Sequence, residues 1–272
     1  MLLAEKLKKE ESTLSDNEKE EILKKVQTLY QSIQLLSQQI QAKEQEVTQK
    51  LQADQAEVVQ KVVNELINSD WPFKNLFSTE EDFHPDVELL TSSEMKKITK
   101  FKTPSQALGV FLLPEPQKIL SEPITIGVDG ISDTGNLGTI IRLCDWFGIS
   151  ELICSKNTVD CFNAKVVQAS MGSIARVKCH YVTDLGEVLT KMQKPIYGAT
   201  IDGDSIYSTK LPNKASYIFG SESHGISKPL FNHLQGEFSI PSFRDGNNKA
   251  ESLNVANATA IFLSELFRGL KV

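Results

Sequence analysis

Three stretches of this sequence carry polar residues of the types that do chemistry, each set in a loop loosened by glycine or asparagine. The first is Asp129-Gly130-Ile131-Ser132-Asp133-Thr134-Gly135-Asn136-Leu137-Gly138-Thr139-Ile140-Ile141-Arg142. Asn136 and Arg142 stand six residues apart, about 600° around an α-helix, so they do not share a helical face. That assigns Asn136 to a loop or cap and Arg142 to a helix body. Read alone, the pair serves equally well as a capping amide and a surface cation.

The second stretch, Tyr217-Ile218-Phe219-Gly220-Ser221-Glu222-Ser223-His224-Gly225-Ile226, is an apolar run entering a loop that two glycines allow to bend closely around a ligand. Glu222 suits a hydroxyl or a cationic group, although such a loop also arises as a simple turn, and His224 has the weaker claim of an exposed loop residue. The third runs from Phe238-Ser239-Ile240-Pro241 through the polar segment 243–250 to Glu251-Ser252-Leu253-Asn254-Val255. Ser252 and Asn254 straddle the start of a final helix, where free N–H groups gather polar ligands and where capping is the ordinary role. Ser252 has no His and Asp partners fixed by sequence, which disfavours a hydrolase triad. The polar segment itself suits a loop that orders on binding.

The elements around these loops alternate between strand and helix, the pattern of a mostly parallel sheet covered by helices. Strands are predicted at Ile124–Val128, Glu151–Cys154, Ala175–Cys179, Ile196–Ala199, Tyr217–Phe219 and Glu237–Ile240. Helices are predicted at Leu137–Phe147, Ala164–Ser170, Leu185–Met192, Pro229–Leu234 and Leu253–Leu270. All three loops then fall at the carboxyl ends of strands, where an open parallel sheet builds its binding crevice.

Upstream, Ile22, Val26, Leu29, Ile33, Leu36, Ile40 and Val47 recur in steps of four and three, with Lys43 at one position, and predict a long amphipathic helix behind the capping residues Ser15-Asp16-Asn17-Glu18. This seam is short for an independent coiled coil and suits equally a helical hairpin or packing against another subunit, with residues 15–50 open to a helical partner. A second helix is predicted over Ala56–Asn68, ended by Pro72. Between Phe73 and Leu113 the pattern gives a short polar loop, a helix over Ser92–Thr99 and a strand over Ala107–Leu112. Pro114, Pro116 and Pro123 mark a boundary. The expected domains are an acidic, Gln-rich helical extension over 1–55, a small α/β substrate-binding domain over 56–118, and an α/β catalytic domain over 119–272.

Charge is unevenly placed. Residues 1–113 carry 14 Lys, no Arg and 19 acids, a net −5, whereas the remainder carries 15 basic and 16 acidic residues, a net −1. A broad basic nucleic-acid surface is not indicated, and all four arginines, the side chain suited to bidentate phosphate contacts, lie in the second half. Cys144, Cys154, Cys161 and Cys179 lack metal or disulfide spacing and sit among apolar residues, so they read as four buried thiols. The four histidines show no ligand spacing either, and no metal site is expected. No run is long and apolar enough to span a bilayer, and the start, Met1-Leu2-Leu3-Ala4-Glu5-Lys6, turns charged too early for a signal peptide, which predicts a cytoplasmic protein.

Taken in order, the three loops resemble the three motifs of the SpoU (TrmH-like) branch of the SPOUT methyltransferases, over about Ile124 to Leu270. The resemblance implies an α/β fold whose C-terminal segment is tucked through a loop as a trefoil knot, a homodimer with the site completed near the subunit interface, and S-adenosylmethionine (AdoMet) as methyl donor to a ribose 2'-hydroxyl of rRNA or tRNA. It puts the polar site positions on Asn136, Arg142, Glu222, Ser252 and Asn254. The donor would lie against the backbone around Ala199, Thr200, Gly220, Ile240 and Leu253. Departures from the family's motifs are small: Thr134 replaces a frequent Pro, and Ser221 and Ser223 replace frequent Asn and Gly. Residues from about Lys61 to Leu113 look like the latter part of the small substrate-binding domain common in relatives, while residues 1–55 lack its basic start. Two other readings fit the same residues: an AdoMet-binding regulatory module without transfer activity, and a dimeric scaffold that recruits a partner through the N-terminal helix.

Overall fold

The computed structural model describes residues 15–69, 71–99, 104–244 and 252–268. The chain divides into two compact units, Met1–Gln55 and Ala56–Val272. The first unit, where described, is helical. Its helix, α1, spans Asp16–Asn68 without interruption, so the two predicted helices are one. The intervening residues 48–55 contain neither Pro nor Gly, and nothing in them stops propagation.

The second unit begins with the last turns of α1 and a three-stranded sheet. Strand β1 (Phe73–Ser78) lies between β2 (Val87–Leu89), which is parallel to it, and β3 (Ala107–Phe111), which is antiparallel. The short polar loop expected ahead of Ser92 is thus corrected to two strands. Polar positions in β1 hid its inward residues, and its pairing with β3 supplies the burial that local composition does not. Leu76 and Ser78 are buried against Ala107 and Val63. Helix α2 (Ser92–Ile98) starts where Thr91 and Glu94 form a reciprocal capping box.

The remaining strands are β4 (Ile124–Asp129), β5 (Glu151–Ser155), β6 (Lys178–Val182), β7 (Ile196–Ser205), β8 (Ala215–Gly220) and β9 (Gly236–Ser239). They form one sheet in the order β6-β5-β4-β8-β7-β9, with every pairing parallel. Every residue of β4 and β5 is buried, as expected of strands covered on both faces. The helices are α3 (Thr134–Trp146), α4 (Ala164–Ala169), α5 (Leu185–Lys191), α6 (Lys228–Phe231) and α7 (Val255–Phe267). Phe262 of α7 meets Phe219 of β8 edge to face, with ring centroids 5.4 Å apart.

Three further expectations shift. The strand expected at Ala175–Cys179 starts at Lys178, because Gly172 takes a left-handed φ of 91° and leads into a 3-10 turn over Ser173–Ala175. Strand β7 runs on to Ser205, since Ala199 and Asp204 both pair with Phe238 and residues 200–203 bulge out between them. Cys179 is only half-buried, while Cys144, Cys154 and Cys161 are buried, and burial pushes the Cys144 thiol up to about 12. The polar loop expected over 243–250 falls mostly outside the described residues. Among the described residues, no helix is long and apolar enough to cross a membrane.

Candidate active site

Helix α3 begins at Thr134, two residues before Asn136. Asp133 caps it, its Oδ1 accepting from the Asn136 N–H at 2.8 Å, so Asn136 sits in the first helical turn and not in the preceding loop. At the other end of the chain Asn254 caps α7: its Oδ1 accepts from the N–H groups of Ala256 (3.0 Å) and Asn257 (3.2 Å). Glu222 lies in the loop after β8. There Ser221 and Gly225 exchange backbone hydrogen bonds of 3.1 and 2.8 Å, closing a tight turn with Gly225 at φ 64°. A side chain on Gly220 would come within 2.1 Å of the Gly225 backbone, so only glycine lets this turn fold back on the strand end.

The tertiary structure joins these three residues, which lie up to 118 positions apart in the chain. Asn254 Nδ2 donates to Asn136 Oδ1 at 2.9 Å, and Asn136 Nδ2 donates to Glu222 Oε1. Chemistry fixes the direction of both amides. A carboxylate only accepts, so Asn136 must offer it the amide nitrogen, and Asn254 must keep its oxygen for the helix N–H groups. The result is a polarised chain running from the α7 backbone through two amides to a carboxylate. The Glu222 carboxylate thereby stands beside the first turn of α3, where the helix dipole favours negative charge.

A second carboxylate, which sequence reasoning passed over, sets this loop in place. Asp129, buried at the end of β4, accepts from the Ser227 N–H at 2.8 Å through Oδ2, tying the far side of the Glu222 loop to the neighbouring strand. The signal was present as an Asp-Gly pair closing an apolar run. Gly130, at φ 69°, then turns the chain away and donates to Ser155 Oγ at 2.9 Å.

The other expected positions divide. Ala199 pairs with Phe219 on one side and Phe238 on the other, Gly220 ends β8, and Ile240 follows β9 directly; all three therefore lie at one carboxyl edge of adjacent strands. Thr200, at the start of the β7 bulge, has a buried Oγ1 without a hydrogen-bond partner among the described residues. Leu253 precedes the α7 cap and is exposed. Ser252 also precedes the helix, exposed and without a side-chain hydrogen bond among the described residues. Arg142 is not drawn into the amide chain. It lies about 9 Å further along α3 than Asn136 and on another face, exposed and without an ion pair among the described residues.

Residues 123–264 match the model of the SpoU rRNA methylase family, over half of the chain. The chain belongs to that family. A 23S rRNA (guanosine(2553)-2'-O)-methyltransferase, RlmP, of Bacillus subtilis is 28% identical over 219 residues, which cover 76% of this chain and 86% of that protein. The 23S rRNA (guanosine-2'-O-)-methyltransferase RlmB of Neisseria meningitidis is 32% identical over 154 residues, 55% of this chain and 60% of its own length. Among solved structures, a TrmH-family protein of Porphyromonas gingivalis superposes with a TM-score of 0.68 at 36% identity, covering 77% of this chain and 87% of that one. An AdoMet-bound rRNA methyltransferase of Sinorhizobium meliloti gives 0.67 at 25% identity, covering 78% and 85%. The SpoU match spans the whole parallel sheet from β4 onward, including all three loops of the amide chain.

Proposed function

We propose that this SpoU-family chain transfers a methyl group from AdoMet to a ribose 2'-hydroxyl of ribosomal RNA. The observation that carries this reading is the polarised chain from Asn254 through Asn136 to Glu222 at the carboxyl edge of the sheet. Glu222 Oε2, with no hydrogen bond among the described residues, can accept one from a hydroxyl. The substrate class follows the relatives' named substrate, 23S rRNA.

The residues present fit the donor. The buried Thr200 hydroxyl, without a partner among the described residues, the backbone at Ala199, Gly220 and Ile240, and the segment at Leu253 ahead of α7 supply polar and main-chain groups at adjoining strand ends. When bound, AdoMet supplies an electrophilic methyl on a sulfonium. The chain's own residues do the positioning. Glu222, held by Asn136, orients the 2'-hydroxyl, and Asn254 fixes Asn136 in turn. Ser252 lies beside the α7 cap, close enough in sequence to help hold ribose or donor. Arg142 binds the neighbouring phosphate and stabilises developing charge on the 2'-oxygen, since a guanidinium with a pKa above about 12 is a costly base but a good anion clamp.

Residues 56–118 serve as the substrate-binding domain and 119–272 as the catalytic domain, with the C-terminal segment passing through a loop as a trefoil knot. Support for the knot is the placement of β9 beside β7 while α7 returns to pack on β8. The protein acts as a homodimer in the cytoplasm, with Arg142, exposed and without an ion pair among the described residues, serving a site completed at the subunit interface.

Radiolabelled methyl transfer from AdoMet to purified rRNA, with alkali-resistant dinucleotides as the readout, tests the reading. Wild type should label ribose. Arg142→Ala should bind AdoMet normally yet transfer on the order of 100-fold more slowly, the scale of a lost positioning contact. AdoMet binding without transfer to any RNA would overturn the activity, and near-wild-type transfer by Arg142→Ala would overturn the phosphate clamp.

A further inference from the structure

An apolar seam runs along α1 in the first unit. Leu29, Ile33, Leu36, Ile40 and Val47 are each 53–62% exposed. In a heptad frame Val26, Ile33, Ile40 and Val47 occupy the a positions, and Ile22, Leu29 and Leu36 the d positions. The a set is wholly β-branched and leucine fills two of the four d positions, a combination that favours two parallel strands. We infer that α1 pairs in register with α1 of a second copy of this chain, as a parallel two-stranded coiled coil over residues 22–47.

Charge at the flanking positions does not oppose that occupant. In a parallel pair each g position faces the following e position of the other helix. The facing residues here are Lys25 with Tyr30, Ser32 with Ser37, Gln39 with Glu44, and Glu46 with Leu51. None of these is a like-charged pair. Lys43 interrupts the d series, but its ammonium lies 3.7 Å from Glu46 Oε2, and Glu44 adjoins it in sequence. Two apposed Lys43 side chains therefore lay their stems along the seam among four carboxylates and turn their heads outward. A polar residue inside the seam also fixes register, because any slip buries it against an apolar layer.

Length decides the rest. A coil of about four heptads is marginal on its own, but joining it to a second contact raises its effective concentration to the mM range. The inference rests on the proposed homodimer for that second contact. An antiparallel coil would set Leu29 against Ile40 and carry the two copies of Gln55 apart along the coil, whereas a parallel coil sets them side by side.

The test is mild oxidation of the full-length Leu29→Cys protein, with wild type as the background from the four native thiols, three of which are buried. The expected result is about ten-fold more covalent dimer than wild type, because an in-register coil holds the two d-position thiols together at high effective concentration. Adding Ile33→Glu should abolish that product, while a cross-link that survives it would overturn the seam. Cross-linking only on mixing Leu29→Cys with Ile40→Cys would show an antiparallel coil and overturn the inference, as would no cross-linking at all. Methyl transfer measured on the same samples keeps the two proposals apart. Loss of transfer with the cross-link intact counts against the activity alone, and transfer without the cross-link counts against the coil alone.

Discussion

Strand β4 and the first half of α1 both follow apolar patterns that are plain in the sequence, yet β4 is buried at every residue while the α1 seam is exposed at Leu29, Ile33, Leu36, Ile40 and Val47. The difference shows that a hydrophobic pattern specifies an element and the face it offers, but not whether the same chain covers it. The sheet finds its cover within the second unit, from helices on both sides and from Val62 and Leu66 in the last turns of α1. The α1 seam has to find it elsewhere.

The sharpest way to break this contrast is to cut into each region equally. Leu137→Ala, at a fully buried position on the inner face of α3, should destabilise the second unit by about 2–5 kcal/mol in denaturant unfolding, the range for a core leucine left as a cavity. A loss below about 1 kcal/mol would mean that the α3 face is not the core it looks like.

Asn254→Asp probes the site at one atom. Aspartate still caps α7, so stability should hold within a few tenths of a kcal/mol, about the spread among good caps. The side chain can no longer donate to Asn136, and methyl transfer should fall on the order of 100-fold as Asn136 and Glu222 lose register. Equal loss in Asn254→Ala and full activity in Asn254→Asp would reduce the residue to a cap.

A smaller effect comes from Lys194, ahead of β7. Burial pushes its ammonium down to about 8, against the pull of Glu122, although it donates to Thr125 Oγ1 at 2.6 Å. In the unfolded chain the group keeps its proton to about 10.5. Below pH 8 both states are protonated and the native state carries the cost of a buried charge; between 8 and 10.5 only the unfolded state holds the proton, so this group raises stability with pH. Lys194→Met should flatten that rise relative to wild type in urea titrations at pH 7.5 and 9.5. A parallel pH dependence in both proteins would remove Lys194 from the account.

The smallest change is expected on the exposed side. Ile33→Ala should leave the unfolding midpoint of the second unit within about 0.5 kcal/mol of wild type, as for a surface position. A larger shift would tie α1 to the stability of the sheet.

Most of the sheet was legible. The β4, β5 and β8 runs, and α3 and α5, lie within a few residues of their predicted bounds because long apolar runs and capping residues are local signals. The fold elements that were missed had no local signal. Strand β1 carries polar residues at exposed positions and depends on β3 some 30 residues away; the β7 bulge depends on Phe238 pairing twice; and the unbroken α1 reflects only the absence of anything to stop it.

The sequence by itself determined the alternating elements, the three polar loops, the resemblance they carry and the apolar seam on α1, since all of these rest on residue type and spacing along the chain. Tertiary structure alone decided that Asn136, Glu222 and Asn254 share one directional hydrogen-bond chain while Arg142 stands outside it. It also decided that Asp129 anchors the loop from the next strand. Amide direction, strand order and helix phase are set by partners a hundred residues away, and spacing along a chain does not encode which distant partner a side chain will meet.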